Sequence, residues 1–409
     1  MVKVMADAIP ETNDKISIDC FMACLYFICL PLTVVTTPLG SMLKVVTMPL
    51  VAVLSARLLM GKSKISFNYV HFTYFLYVLF TVVQLAMYNT ERSSTTTKDM
   101  VLGFLTFILI SMRVYNEREV EFIEWVWFFV GIICIFAVLT SNEVMSEVEE
   151  RTVIKIFGFE EDQNQFCSYF IVPVLVCIKR VVEKRKLTPL YLVTLLLIMY
   201  SILKTGSRGG LIGILFGVFF YVIIGIKSVK TKIAICLSAV FLVLVVVNVV
   251  FPMLPESVQE RYSVERVEED KGSGRFEIWE YLLQYTFEKP ERIILGSGVL
   301  SSYEILDNAP KTFHNGVAHN TFIQVFSDQG LLGLLLFIFV MFACIIRPLH
   351  TEKIYSCAFI ALMAFSMSLT FYVFKPYLNI MMMCAMSVKG HMPEDILKKF
   401  TERKTIEND

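Results

Sequence analysis

The chain has 409 residues, 56% of them hydrophobic and 18% charged, against roughly 25% charged in an ordinary soluble domain. Lys plus Arg and Asp plus Glu each number 37, so no overall field draws in nucleic acid, and an anionic ligand must be met by basic side chains placed locally. The 10 cysteines sit in or beside apolar runs, with none between residues 252 and 330, which excludes a disulfide framework in the one long polar stretch and leaves the thiols as small apolar packers.

The first nineteen residues mix Lys3 and Lys15 with Asp7, Glu11, Asp14 and Asp19, and the apolar run that follows has no small-residue cleavage site. An uncleaved first span is the expectation. Crossing about 30 Å of hydrocarbon takes about 20 mostly apolar residues in helix, because every backbone polar group must find its partner inside the segment. On that ground the first half predicts spans near 20–39, 43–60, 70–87, 100–112, 122–139 and 166–178. The second half predicts spans near 189–203, 211–226, 233–251, 331–346, 355–371 and 377–388. The expected fold is therefore all-α: one polytopic membrane domain, residues 1–409, with about 12 transmembrane helices, no internal repeat and no low-complexity segment.

Lys and Arg accumulate in cytoplasmic loops. The segments carrying Arg57, Lys62 and Lys64, then Arg113 and Arg118, then Lys179 to Lys186 alternate with poorer ones and must share a side. With twelve spans, Lys227 to Lys232, Arg347, Lys353 and the tail 389–409 join them, so both termini are expected in the cytoplasm. The same parity puts the Lys204 to Arg208 turn, the acidic 141–165 loop and the large 252–330 loop between spans 9 and 10 on the outer side.

In that large loop Gly272, Ser273 and Gly274 break the chain, after which Phe276, Trp279, Leu283 and Phe287 recur at helical spacing until Lys289 and Pro290. This predicts an amphipathic helix lying on the membrane surface. Turn signals at Gly296 and Gly298 lead to His319 and to Asn320, a candidate N-cap for a helix beginning at Thr321, and Gly330 separates that helix from the next span.

Three side chains are candidates for chemistry. Arg208 lies in the turn Lys204-Thr205-Gly206-Ser207-Arg208-Gly209-Gly210, where a planar guanidinium could bind phosphate in bidentate fashion while Gly209 and Gly210 let a head group approach the backbone. An arginine there can equally be an anchor that snorkels to water. Arg275 opens the amphipathic helix, where a solvated surface charge is the plain reading. His319, one of 5 histidines, carries the one side chain whose unperturbed pKa, about 6.5, suits it to accept a proton near neutrality. A histidine at a helix start is also commonly structural. His314-Asn315 repeats the His319-Asn320 dipeptide and is the rival base, while Arg261, Arg266 and Arg292 are rival phosphate binders. Metal ligation is unsupported: no paired Cys motif or His-Glu-x-x-His appears, and Glu268, Glu269 and Asp270 read as a solvated acidic run. Ser207 lacks the strand–turn–helix setting of a nucleophile elbow.

In their order and spacing, three pieces resemble the O-antigen ligase and O-antigen polymerase family of bacterial envelope enzymes. They are Ser207-Arg208-Gly209-Gly210 between two spans; Gly274-Arg275 to Trp279 followed by Gly296 and Gly298; and His319-Asn320-Thr321-Phe322 running into Asp328-Gln329-Gly330-Leu331-Leu332-Gly333. The segment around Asn164 matches another family stretch, and coverage runs from about Gly158 to the last span, the first five spans matching in hydropathy alone.

The resemblance implies a glycosyltransferase-C-like fold in the bacterial plasma membrane and metal-independent, inverting glycosyl transfer at its outer face, with no cofactor. Its donor would be an undecaprenyl-diphosphate-linked glycan and its acceptor a glycan or lipid-linked molecule; membrane lipid and a chain-length regulator could be further partners. Carried over, Arg208 and Arg275 would neutralise the leaving diphosphate and His319 would take the acceptor proton, with Ser207, Gly209, Gly210, Trp279, Gly296, Gly298 and Asn320 lining the substrate. A polysaccharide polymerase is the leading reading and a ligase onto lipid A core or another terminal acceptor its sister. A flippase for lipid-linked sugars is the alternative of another class, disfavoured because few charges lie inside spans, Glu124 being the main exception.

Overall fold

The computed structural model describes residues 15–389 apart from 142–143, 146–149, 152–153, 185, 255, 264–273, 311–312, 314–315 and 374. Arg266, the acidic run at 268–270 and the rival base His314 lie outside the described residues. In chain order the helices of the first half are α1 (Ile18–Ile28), α2 (Met42–Leu59), α3 (Tyr69–Met87), α4 (Glu91–Ser111), α5 (Glu117–Thr140), α6 (Gln163–Cys167) running through a short 3₁₀ turn into α7 (Ile171–Val182), α8 (Thr188–Lys204) and α9 (Arg208–Phe220). The second half adds α10 (Val229–Val245), α11 (Glu256–Arg261), α12 (Arg275–Phe287), α13 (Pro290–Leu295), α14 (Ser302–Asp307), α15 (Thr321–Leu349), α16 (Lys353–Ser366) and α17 (Lys375–Ala385).

Among the described residues, 7 helices are long and apolar enough to cross a membrane, and Ile18–Ile28, Thr188–Lys204 and Lys353–Ser366 are shorter apolar helices. The chain is a helical multi-pass membrane protein. Among the described residues strands are confined to four small two-stranded ladders.

Two expected spans differ most in extent. The first helix ends at Ile28 rather than near 39, because Pro31 sits in a 3₁₀ turn, Leu30–Leu32, and Thr36–Thr37 then pairs with Gly40–Ser41 in a tight hairpin. Conversely, α4 begins nine residues before the expected 100: Thr90 caps it and exchanges bonds with Ser93, so a hydroxyl-rich first turn is helical despite its polarity.

Close packing between α9 and α16 depends on a glycine stripe. Gly209, Gly213 and Gly217 recur every four residues on α9 and face α16: a Cβ on Gly213 would collide with the Phe365 ring, and one on Gly217 would come within 2.7 Å of the Ala361 Cβ. In lipid, where helices gain little from hiding apolar surface from each other, such close backbone approach supplies much of the attraction.

One end of the bundle is stitched by ion pairs. Asp19 at the start of α1 meets Arg57 and, at 3.1 Å, Arg113, while Arg113 holds Glu119 at 2.9 Å. Glu124 of α5 sits between Lys179 and Arg180 of α7, both at 2.6 Å, and Lys179 also reaches Glu352 at 3.0 Å. Val114–Tyr115, after α4, pairs in parallel with Ser387–Val388, after α17, at this same end. The basic segments around Arg57, Arg113 and Lys179 thus gather at one end, and Glu124, the charge that had kept a transporter reading alive, is a paired structural group.

Candidate functional site

The end of the bundle away from those ion pairs carries the three sequence motifs. α9 starts where it does because Ser207, in extended backbone, accepts a hydrogen bond from the Gly210 N–H at 3.1 Å and donates to Asn164 Oδ1 at 2.8 Å. Its hydroxyl is fully employed, and Asn164 ties the turn to α6. Arg208 is the first helical residue, half-buried, beside the positive end of the helix dipole. The glycines after it are packed against other elements. A Cβ on Gly209 would strike Ser368 Oγ, and one on Gly210 would lie 2.8 Å from Cys167 Cβ, so both allow close packing.

Ser368 lies just past the C-terminus of α16, and the third motif docks on the same connection. Asn320 caps α15, accepting from the Phe322 and Ile323 amides at 3.0 and 3.2 Å, and its own amide donates to the Met367 carbonyl at 3.3 Å. Thr321 Oγ1 donates to the Leu369 carbonyl at 2.7 Å and accepts from the Phe371 N–H at 2.9 Å. The Arg208 turn and the His319 turn therefore rest on one three-residue strap, 367–369.

His319 has φ 49°, a left-handed backbone that costs a non-glycine residue on the order of 1 kcal/mol and persists only where its surroundings impose it. They do so on both sides. The Ala318 N–H donates to Gln324 Oε1 at 2.8 Å, the Ala318 carbonyl accepts from Trp279 Nε1 at 2.6 Å, and Asn320 is buried in its cap. The ring of His319 is left half-buried at the tip of this pinned turn.

The Trp279 bond brings in the second motif. Arg275 opens α12 directly after Gly274, whose φ of 72° turns the chain, and Trp279 is one helical turn on, on the same face. Contacts thus run from the Arg208 turn through the strap to Asn320, and from Ala318 through Trp279 to the helix that starts with Arg275. The helix is oriented differently from expectation: the buried stripe is Ile278, Leu282 and Thr286, packed with Ile305, Leu306 and Ala318, while Phe276 and Phe287 are exposed. Two apolar faces compete here, and the loop's own small core takes the one that the Phe276, Leu283, Phe287 periodicity does not mark.

Gly296 and Gly298 also have packing tasks. Both have positive φ, 74° and 112°; a Cβ on Gly296 would hit the Asp328 carbonyl and one on Gly298 would come within 3.0 Å of Tyr88 Cβ. At Gly330, φ 68°, α15 kinks and its backbone lies against Ile294 and Gly296. The rival Arg292 is committed elsewhere: it stacks 3.7 Å over Tyr285, pairs with Glu288 at 3.0 Å and donates to the Tyr285 carbonyl.

Asp328, which sequence reasoning quoted inside the third motif without a role, is the anchor of this region. It is fully buried, and its carboxylate accepts from the Tyr372 hydroxyl at 2.7 Å, Gln324 Nε2 at 2.8 Å, the Ser302 and Leu300 N–H groups at 2.9 and 3.1 Å, and Ser301 Oγ at 3.2 Å. Gln324 passes this anchor on to Ala318, and so to the His319 turn. The visible signal was an acidic residue three helical turns from the middle of an apolar run. Among the described residues no three His, Cys, Asp or Glu side chains gather as a metal cage. Near the mouth, burial first and Asp162 next push the Glu161 carboxyl up to about 7, against the smaller pull of an Asp162 backbone hydrogen bond and Lys375.

A family model described as O-antigen ligase matches residues 192–338, the stretch that contains Arg208, Arg275 and His319. No curated protein matches the chain. Among solved structures, a chain from "Structural coordination of polymerization and crosslinking by a peptidoglycan synthase complex" is 15% identical with a TM-score of 0.44, over 79% of this chain and 96% of that one. Over residues 192–338 the chain is thus similar to the O-antigen ligase family.

Proposed function

We propose that the protein is a polysaccharide polymerase that joins undecaprenyl-diphosphate-linked repeat units at the outer face of the bacterial plasma membrane. The observation that carries this reading is the shared scaffold: the Arg208 turn and the His319 turn rest on one strap, and the Arg275 helix is bonded to Ala318. In the proposed reaction the hydroxyl of an acceptor sugar attacks the anomeric carbon of the donor's first sugar, and the C–O bond to the diphosphate breaks. The electron pair leaves with the phosphate oxygen, and the undecaprenyl diphosphate carries the charge away. Arg208 and Arg275 meet that charge with fixed donors and stabilise it most in the transition state. His319 takes the acceptor proton. Attack from the face opposite the leaving group inverts the anomeric centre. Twelve crossings, a glycosyltransferase-C-like arrangement, both termini in the cytoplasm and the 252–330 loop outside complete the picture.

The description of the matched family favours a second reading, in which the same donor is transferred to lipid A core or another terminal acceptor. Purified protein incubated with a defined undecaprenyl-diphosphate oligosaccharide, with and without core lipid, separates the two by product mass. Ladders of repeat units without core lipid support the polymerase, and a single adduct only with core lipid supports the ligase. Absence of new glycosidic bonds in both, with gradient-driven lipid movement instead, overturns both.

A further inference from the structure

A groove runs down the outside of the bundle between α3 and α15, far along α15 from the His319 turn. Its walls are the exposed rings of Phe72 and Phe339, and its floor is made by the small side chains Thr73 and Ala343. Leu76 and Leu336 line one end, Tyr69 and Ile346 mark the other, and the open groove has a volume of about 350 Å³. From Leu336 to Ile346 is ten residues of helix, about 15 Å at 1.5 Å per residue. That is about half of a 30 Å hydrocarbon core, the depth of one leaflet.

The Ile346 end is basic. Arg347 follows Ile346 directly, its guanidinium donates to Ser387 Oγ at 3.2 Å, and no carboxylate among the described residues pairs with it. Tyr69 and His71 both lie within its electrostatic reach. Lys389, exposed, stands two residues past Ser387. This is the end where Ser387–Val388 pairs with Val114–Tyr115, beside Arg113 and its ion pairs. Arg113 differs from Arg347 in having two carboxylates, Asp19 and Glu119. A partly buried arginine without such a partner is expected to recruit an anion, and basic pockets between helices at a membrane surface suit anionic head groups.

We propose that the α3–α15 groove is a specific site for an anionic phospholipid, with one acyl chain lying on Thr73 and Ala343 between the two phenylalanine rings and the head-group phosphate held by Arg347. The Tyr69 hydroxyl, at the rim, suits the interface between chain and head group. This site is independent of the glycosyl-transfer reading, since none of its residues belongs to the three motifs.

The test is native mass spectrometry of the full chain released from nanodiscs of phosphatidylglycerol or of phosphatidylcholine. Wild type is expected to retain one phosphatidylglycerol through collisional release that strips phosphatidylcholine. Arg347→Gln is expected to lower that retention about tenfold, the scale of one charge-assisted hydrogen bond, and Arg347→Lys to keep most of it. Thr73→Trp, which fills the groove and leaves the arginine in place, is expected to lower it similarly; this variant decides the matter if Arg347→Gln does not fold. Equal retention of the two lipids by wild type, unchanged retention in Thr73→Trp, or displacement of the lipid by inorganic phosphate would each overturn the proposal.

Discussion

Arg208, Arg275 and His319 are the side chains through which the proposed chemistry stands or falls. Arg208→Ala, Arg275→Ala and His319→Ala are each expected to abolish polymer formation in a membrane extract while immunoblots show near-normal protein, because none of the three is in the buried core. His319 adds a backbone test. Its φ of 49° suits glycine, so His319→Gly should raise the melting temperature slightly in detergent while removing activity, whereas a purely structural histidine would lose stability. Gln324 makes the complementary case. Removing its amide in Gln324→Ala breaks the bonds to Ala318 and Asp328 and leaves a buried carboxylate short of a donor, at a cost of about 1–3 kcal/mol. Turnover should fall with little change in donor KM, since the proton acceptor is misplaced and the arginines are not. The sequence pointed to the arginines and the histidine because charge and imidazole are conspicuous in an apolar chain. It gave no role to Gln324, or to Asp328 beyond its place in a motif, because the fold chooses their partners: Ser302 and Tyr372 lie 26 and 44 residues from Asp328. Nor could it say that Gly209, Gly210, Gly296 and Gly298 serve packing, because what a missing Cβ makes room for is set by another element.

Among the elements, α9 is the one whose placement fixes Arg208. Its glycine stripe leaves no space at Gly213, where the Phe365 ring already sits. Gly213→Leu is therefore expected to push α9 from α16 and lower the detergent melting temperature by several degrees, with overpacking of about 1–3 kcal/mol. The hairpin Ile154–Ile156 and Phe159–Glu161 supplies a pH test. Glu161 binds its proton more tightly folded, at about 7, than at its ordinary 4.5. Stability should thus fall as pH rises across that window and level off above it, the reverse of an ion-paired carboxylate. Glu161→Gln should flatten the profile in melting curves taken between about pH 5 and about pH 8. Helix existence was legible from hydropathy nearly throughout, since a twenty-residue apolar run has few alternatives in lipid. Helix ends were not. Pro31 and the hairpin after it cut α1 short, and the Thr90–Ser93 cap extended α4 into sequence too polar to register as a span.

Over the whole molecule, the two ends of the bundle differ in kind. One is closed by reciprocal ion pairs among Asp19, Arg57, Arg113, Glu119, Glu124, Lys179 and Arg180; the other presents half-buried basic side chains and an imidazole. The grouping of basic loops at one end followed from the sequence through loop parity. Which loop residues would touch which helix did not, because the 252–330 segment folds against strands of chain on either side of it. Chelation offers a check on the proposed chemistry at this scale: if the arginines alone neutralise the leaving group, EDTA should leave polymer yield unchanged in a reaction washed free of divalent ions. The Asp328 carboxylate has a practical consequence for building hybrids between relatives. It fastens residues 300–302 and Tyr372 at a single point, so the unit that can be transplanted is not the outer segment by itself. A chimera that imports residues 252–330 from another enzyme inherits an acid cut for a foreign clasp, and it should assemble only when the connection after α16 is imported with it.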